Sequence, residues 1–245
     1  MVVIVCLGTA VIFAGCTQGP EDGPRIVGPA PDRKSTPIPR PPVTPPKSTP
    51  SPKPPAPKPA AVSLAGRTII VDPGHGGKDP GAGERTLSRV PEKTLVLEIA
   101  RELASQLDAR GATVIVTRKG DYFIEREDRA AVAETYRADL LVSVHADSHR
   151  NSSISGASIY IARSPSAESR RIANSVSAAI RKAGVACRGV LAADFQVLTL
   201  HSRPSILVET GYLTNPTEAR NLNASWYRAK MARCIADGIT AALGK

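Results

Sequence analysis

Residues 67–117 read RTIIVDPGHGGKDPGAGERTLSRVPEKTLVLEIARELASQLDARGATVIVT. The stretch begins with a β-branched run over 67–72 and ends with another over 113–117, and such runs are typical of strands. Between them, over 91–110, apolar residues recur every four positions, which is the spacing of one helical stripe. These residues are Leu95, Ile99, Leu103 and Leu107. Gly111 then ends the pattern, so the stretch predicts strand, helix and strand.

The same alternation continues to the end of the chain. The further predicted elements are a helix over 125–136, strands over 140–144, 157–161 and 205–208, and a last helix over 225–243. Strands that alternate with helices indicate an α/β fold with a mainly parallel, twisted sheet and helices on both faces. The length of this part, residues 63–245, fits a single domain.

The first residues have the layout of an export signal. The run Val2–Ala14 is apolar but too short to span a bilayer comfortably, and small residues follow it. The segment Phe13-Ala14-Gly15-Cys16 resembles the lipobox of bacterial lipoproteins, which implies a signal peptide over 1–16 and a lipid on Cys16 that anchors the protein to a membrane. The alternative is a plain secretory signal cleaved near Gly15. In both cases we expect an exported protein that faces the periplasm or cell wall.

Residues 17–62 are expected to form a disordered tether. The stretch 20–60 holds 16 of the 22 prolines and few large apolar residues, so it cannot bury enough surface to fold. Proline-rich chains extend by about 3.1 Å per residue, so the tether would reach on the order of 100 Å from its anchor.

The tether and the domain both carry a net positive charge. Residues 17–62 carry seven basic and three acidic residues, so they contribute +4 of the total +10 and leave +6 for the domain. An anionic polymer, a membrane surface or simple solubility would explain this charge. Aromatic residues make up only 4%, and the positive charges are not clustered with stacking residues, so we expect no nucleic-acid partner. We expect a monomer.

Two cysteines, Cys187 and Cys234, fall within the domain. In an oxidising compartment they could pair. Alternatively, Cys234 shares a helical face with Met231, Ile235 and Ile239 and is a small buried thiol. We expect two separate thiols.

Four residues adjoin the ends of the predicted elements. His75 follows the first strand in a glycine-rich turn, His145 ends the strand LLVSV, and Glu209 ends the strand SILV. Ligands of such sheets bind outside the carboxyl ends of the strands, so these side chains are predicted to share one edge. Glu92 follows Pro91 at a helix start, where the helix dipole favours an ionised carboxylate.

These residue types suit metal-assisted hydrolysis. Two imidazoles and a carboxylate can hold zinc, and a second carboxylate can move protons. Taken singly, a strand-end histidine is more often structural and a helix-start glutamate is usually a favourable end charge. Their joint placement favours a metal site, and zinc fits because the reaction needs no redox change. The glycine-rich turn lacks the lysine and hydroxyl of a phosphate-binding loop.

Four segments resemble the zinc-dependent N-acetylmuramoyl-L-alanine amidases of bacterial cell walls, the type 3 amidase family. They are IIVDPGHGGKDPGA, PEKTLVLEIARELA, ADLLVSVHADS and PSILVETGYLTNP, in the family's order, although Val96 stands where many members have Asn. The resemblance implies that the domain at 63–245 cleaves peptidoglycan between the lactyl group of N-acetylmuramic acid and L-alanine. It also implies the roles of four residues: the zinc ligands are His75, Glu92 and His145, and the catalytic carboxylate is Glu209.

Other functions stay open from the sequence. One alternative is a zinc peptidase that acts within the stem peptide. Others are a non-catalytic peptidoglycan-binding lipoprotein with the same fold and a basic surface-adhesion module. Glu209 argues against a purely binding role, because binding needs no general base.

Several other polar residues are secondary candidates. His149 and His201 would contact substrate near the rim or are ordinary loop histidines. Arg118 and Arg129 match positions that are commonly basic in the family, and we expect structural ion pairs. Asp147, two residues after the second histidine, is a candidate acceptor for that ring or a turn residue.

Overall fold

The computed structural model describes residues 62–82 and 86–245. The strands in this part of the chain are β1 Thr68–Pro73, β2 Thr113–Val116, β3 Leu140–Asp147, β4 Ala157–Ile161, β5 Cys187–Ala192 and β6 Ser205–Tyr212. The helices are α1 Glu92–Asp108, α2 Arg126–Thr135, α3 Ala167–Lys182, α4 Gln196–Thr199, α5 Pro216–Asn223 and α6 Ser225–Leu243. The predicted signal peptide at 1–16 and all but the last residue of the predicted tether lie outside the described residues.

One six-stranded sheet organises the domain, in the order β2-β1-β3-β6-β4-β5. Strands β2, β1, β3 and β6 all run parallel to one another. Strand β4 runs antiparallel to β6 and parallel to β5. The prediction of a mainly parallel α/β sheet is therefore confirmed, with one antiparallel pair. The register sets His145 directly opposite Glu209.

Alternating side chains divide the sheet into two faces. Ile69, Val142 and Val208 point to the larger core, which α1, α3 and α6 cover. Residues of opposite parity, such as Ile70 and Leu207, point to a smaller core under α2 and α4. Each fully buried Leu or Ile contributes roughly 1.5–3 kcal/mol, so the three-helix face supplies most of the hydrophobic stabilisation.

The helix predicted at 91–110 is one residue shorter at its start and two shorter at its end. Pro91 is the N-cap, because its fixed φ of −57° and its missing N–H suit the first turn. The stripe of leucines and isoleucines faces the main core, as the spacing predicts. Beyond the helix, Gly111 has a φ of 91°, a backbone conformation that glycine adopts without steric cost.

Two strands are longer than predicted. The apolar runs at 140–144 and 205–208 continue as paired strand to Asp147 and Tyr212. The polar residues that follow each run break the apolar pattern but keep the backbone ladder. His145 and Glu209 therefore lie within strands near the carboxyl edge, and the predicted ends of the two strands are wrong by three and four residues.

Among the described residues, Cys187 and Cys234 form no disulfide, which confirms that they are separate thiols. Cys234 is 4% exposed within the main core, whereas Cys187 is half-buried with its Sγ atom 3.5 Å from the Ser177 hydroxyl. Within 62–82 and 86–245, the helices are all too short or too polar to cross a membrane.

Candidate active site

The loop after β1 holds His75 in an unusual backbone conformation. His75 has a φ of 60°, and Gly76 and Gly77 follow with φ values of 122° and 56°. The left-handed region costs a non-glycine residue about 1–2 kcal/mol, so surrounding contacts must hold it. The turn aims the imidazole across the carboxyl edge of the sheet.

Two buried arginines supply those contacts. The Arg118 guanidinium donates to the carbonyls of Pro73 at 3.0 Å and Gly74 at 2.6 Å. Arg129 donates to the carbonyls of Pro73 at 2.7 Å and His75 at 2.6 Å. Every carbonyl from Pro73 to His75 therefore accepts a charged hydrogen bond, which is stronger than a neutral one and fixes the loop.

The prediction of ion pairs is right for one arginine and wrong for the other. Arg129 lies 2.8 Å from the carboxylate of Asp72, and both groups are buried. Arg118 is fully buried, and its hydrogen bonds in the described part of the chain go to backbone carbonyls rather than to an acid. Burial and the neighbouring charge of Arg129 lower the pKa of Arg118.

The three predicted ligands converge at the carboxyl edge. The Nε2 atom of His75 lies 3.0 Å from Glu92 Oε1 and 3.1 Å from His145 Nδ1. The His145 Nδ1 atom lies 3.2 Å from the same carboxylate oxygen. Both rings are about one fifth exposed, so they are accessible from the cleft. Such a group of one ligand atom per side chain is the arrangement that a metal ion requires.

Asp79 orients the first histidine. Its Oδ2 atom lies 2.8 Å from the Nδ1 of His75. This contact favours a proton on Nδ1 and leaves the lone pair of Nε2 pointing at the other ligands. Asp79 falls inside the segment that resembles the amidase family, four residues after His75, but the sequence alone gave no reason to select it.

Asp147 does not have the orienting role proposed for it. Asp147 is the last residue of β3, and its Oδ1 atom accepts from the backbone N–H of Ser148 at 2.7 Å, where the following loop begins. His145 is held instead through its backbone, whose carbonyl accepts a hydrogen bond of 2.8 Å from the Thr210 hydroxyl. Gly74 lies directly against the His145 ring, where a Cβ atom would overlap it.

Glu92 is buried at the start of α1, with 3% of its surface exposed. Its Oε2 accepts from the N–H of Ala82 at 2.7 Å, and its Oε1 accepts from the N–H of Ala146 at 3.0 Å. Burial alone would raise its pKa, but hydrogen bonds and charge interactions with His145 and His75 outweigh burial and lower the pKa overall. The carboxylate is therefore ionised, as a metal ligand must be.

Glu209 has the opposite environment. Its Oε2 atom is buried and has no hydrogen-bond partner among the described residues. Burial, followed by the nearby charges of Glu92 and Asp147, raises the pKa of Glu209 well above its usual value. The pKa values of Glu92 and Glu209 are thus shifted in opposite directions within one site. Such a pair suits two different roles, that of an ionised metal ligand and that of a proton carrier.

A cleft of about 370 Å³ contains these groups. His75, His145 and Glu209 line it, together with apolar side chains from the loop before α2 and from the start of α4. These apolar residues are Phe123, Ile124, Phe195 and Val197. His149 and His201 are not among the lining residues. His201 contacts the carbonyl of Val197 at 2.9 Å, and the exposed His149 accepts from a loop N–H, so both are ordinary loop histidines here.

Comparison with known proteins gives consistent matches. The family model described as N-acetylmuramoyl-L-alanine amidase matches residues 69–241. The chain is 33% identical over 182 residues to a protein named probable cell wall amidase LytH from Staphylococcus saprophyticus, covering 74% of this chain and 60% of that protein. It is 36% identical to the N-acetylmuramoyl-L-alanine amidase LytC of Bacillus subtilis, covering 71% of this chain and 35% of the relative.

A solved structure shares the fold. The crystal structure of an N-acetylmuramoyl-L-alanine amidase from Clostridium difficile 630 aligns with a TM-score of 0.69 at 33% identity, covering 73% of this chain and 97% of that one. The chain spans about 60% or less of the length of the two curated relatives. The matched range contains all four candidate site residues, and the chain belongs to the N-acetylmuramoyl-L-alanine amidase family.

Proposed function

We propose that this protein is a zinc-dependent hydrolase that cleaves peptidoglycan between the lactyl group of N-acetylmuramic acid and L-alanine of the stem peptide. One observation carries the proposal: three metal-binding side chains converge beside a buried carboxylate that has no hydrogen-bond partner among the described residues. The family to which the chain belongs supplies the identity of the bond. A binding module would gain nothing from a buried, unpaired carboxylate, because such a group destabilises the fold.

The donor set fits zinc. Two imidazole nitrogens and one carboxylate oxygen approach within 3.0–3.2 Å of one another, and these three electron pairs repel unless a cation or proton lies between them. Nitrogen and oxygen donors in threes are typical of catalytic zinc, which keeps a further position open. We therefore assign His75, Glu92 and His145 as the ligands. Bound there, zinc would polarise the amide carbonyl and acidify a water molecule.

The remaining chemistry belongs to the protein. We assign Glu209 as the catalytic carboxylate, which takes the proton of the attacking water and delivers it to the departing amine of L-alanine. Its raised pKa favours this role, because a base must also hold the proton long enough to pass it on. The apolar side chains that line part of the cleft lower its local polarity, which strengthens electrostatic interactions with a bound substrate.

Product analysis tests the assignment. We expect the zinc-loaded full-length chain to release stem peptides from purified peptidoglycan with a new amino terminus on L-alanine, as identified by mass spectrometry. A chelator should stop the release, and added zinc should restore it. New amines within the stem peptide would instead identify a zinc peptidase, and release that is insensitive to the chelator would contradict the metal assignment.

The same proposal includes the setting in which the enzyme works. We infer an exported monomeric lipoprotein that is anchored through Cys16 and carries its catalytic domain on the proline-rich segment 17–62. The sequence of the first 16 residues supports the anchor, and relatives named as cell wall amidases support export.

Metabolic labelling with an alkyne fatty acid tests the anchor. Label should be incorporated into the wild-type protein and into a Cys6→Ser variant, because Cys6 lies in the part of the chain that is removed. It should be lost from a Cys16→Ser variant, which lacks the acylated thiol. Equal labelling of the Cys16→Ser protein would leave only the secretory-signal interpretation.

A further inference from the structure

Trp226 is exposed in a way that the fold does not explain. It is the only tryptophan of the chain, and 62% of its surface is exposed in the first turn of α6. The next residue, Tyr227, and the later Met231 and Ile235 face the core. The indole therefore contributes little to stability. A single exposed aromatic residue is common, so its surroundings decide whether it has a role.

Trp226 borders a second pocket, away from the cleft. This Trp226 pocket has a volume of about 460 Å³, within the range of small-ligand sites. Its other lining residues are Ser155, Gly184, Val185, Ala186, Asn215, Thr217, Glu218, Asn221, Tyr227 and Lys230. The Trp226 and Tyr227 rings meet edge to face, with centroids 5.6 Å apart at 90°. Because Tyr227 is only 5% exposed, this contact limits how far the indole can move.

Polar side chains of the pocket fall into two groups. Asn215 and Glu218 are committed to the fold, because they accept hydrogen bonds from backbone N–H groups. Asn221, Thr217 and Lys230 make no side-chain hydrogen bond or ion pair within 62–82 and 86–245. An amide, a hydroxyl and an ammonium group are thus available in the pocket that the indole borders.

This combination matches the chemistry of a sugar. A pyranose ring offers a face of C–H groups to an aromatic ring, and hydroxyl and acetamido groups at its edge to hydrogen-bonding side chains. The pocket has few apolar residues for a lipid chain, and its one lysine offers too little positive charge for a nucleic acid or another densely charged polyanion. A carbohydrate with at most one carboxylate per disaccharide, such as glycan whose N-acetylmuramic acid carries a free lactyl group, fits this pocket.

The position of the pocket relates it to the cleft. Asn215 lies three residues beyond β6, and the Glu218 carboxylate accepts from the N–H of Tyr212, the last residue of β6. The pocket and the cleft therefore flank the carboxyl end of the same strand. Glu209 faces the side covered by α2 and α4, whereas α6 covers the other side. The pocket and the cleft thus lie on opposite sides of the same edge of the sheet.

We propose that the Trp226 pocket binds the glycan strand of peptidoglycan, on the opposite side of the sheet edge from the cleft that cuts the peptide. This inference rests on the proposed function for the identity of the polymer. Binding here requires neither the metal ligands nor an amide bond. It would hold the enzyme on its substrate between successive cleavages.

Intrinsic fluorescence tests the proposal directly, because Trp226 is the only indole in the chain. We expect peptide-free glycan oligomers of alternating N-acetylglucosamine and N-acetylmuramic acid to change its emission in a saturable manner. The titration uses the full-length Glu209→Gln protein with chelator present. A change that follows protein concentration without sugar would reveal a self-association surface and overturn the proposal, as would an unchanged spectrum.

A variant pair completes the test. Trp226→Ala should retain about one tenth or less of the glycan affinity in sedimentation with peptide-free glycan, because one aromatic contact of this kind is worth about tenfold. Tyr136→Ala, which removes another exposed aromatic side chain outside the pocket (52% exposed), should bind as the wild type does. Equal binding by both variants would overturn the proposal. Glycan binding without amide cleavage would refute the proposed function alone.

Discussion

A Glu209→Gln variant is expected to cleave peptidoglycan about 10²-fold to 10⁴-fold more slowly than the wild type while it retains its zinc. Glutamine preserves the volume of the side chain but cannot accept the proton of the attacking water. The three candidate ligands, His75, Glu92 and His145, are untouched, so metal content measured by atomic absorption should equal that of the wild type. Release of stem peptide, followed by mass spectrometry, measures the rate.

The same variant has a predictable effect on stability. Because the folded-state pKa of Glu209 is raised, the protonated carboxyl stabilises the fold below the pKa of the unfolded chain. That stabilisation is lost as the pH rises through the folded pKa. Metal-free Glu209→Gln protein should therefore match the wild type near pH 4 and have a higher Tm near pH 7.

An exposed acid provides the control. Glu127→Gln, on the outer surface of α2, removes the same charge and should leave the rate unchanged. Its Tm near pH 7 should not rise and should fall slightly, because a negative charge in the first turn of a helix is favourable. If Glu209→Gln cleaved peptidoglycan at the wild-type rate, the residue would not be the proton carrier. If it lost zinc, the carboxylate would belong to the metal site instead.

The elements and the convergence of the candidate ligands could be predicted from the sequence because each has a local signal. The apolar residues spaced four apart in α1 and the β-branched runs of the strands predict which positions face the core. In α1 this prediction is confirmed, because Leu95, Ile99, Leu103 and Leu107 are all buried. His75, His145 and Glu209 follow apolar runs, and parallel strands bring their carboxyl ends to one edge whatever the details of packing. Strand length was missed because polar residues such as His145 and Glu209 interrupt the apolar pattern, although burial and backbone pairing continue beyond them.

The contacts that shape the site have no such signal. Arg118 looks like any basic residue after a strand, and only the fold shows that it is buried against carbonyls of the His75 loop. In the sequence, nothing distinguishes Asp79 from the other acidic residues of loops. Only the folded turn shows that it contacts His75. Trp226 lies in a helix next to the buried Tyr227, and only the folded structure shows that Trp226 itself is exposed.

The tightest of these contacts yields the second large prediction. Gly74→Ala is expected to reduce zinc affinity and amidase activity by about 10²-fold or more, because misplacing a reacting group by about 1 Å has that effect. The added Cβ would overlap the His145 ring. Gly74 does not have a left-handed φ, so alanine fits the backbone and the damage falls on the imidazole. Zinc titration followed by activity at saturating zinc would separate binding from catalysis.

Gly120→Ala is the matched control. Gly120 likewise has no left-handed φ, and its added Cβ would make only ordinary contacts of 3.4 Å with the Tyr122 ring. It also lies in the Arg118 hydrogen-bond network, through its carbonyl at 3.1 Å. Normal zinc binding by Gly120→Ala beside its loss in Gly74→Ala would show that the fixed loop positions His145. Wild-type zinc affinity in both variants would mean that His145 can move away from the added Cβ. In that case the loop fixed by the two arginines would not determine the position of His145.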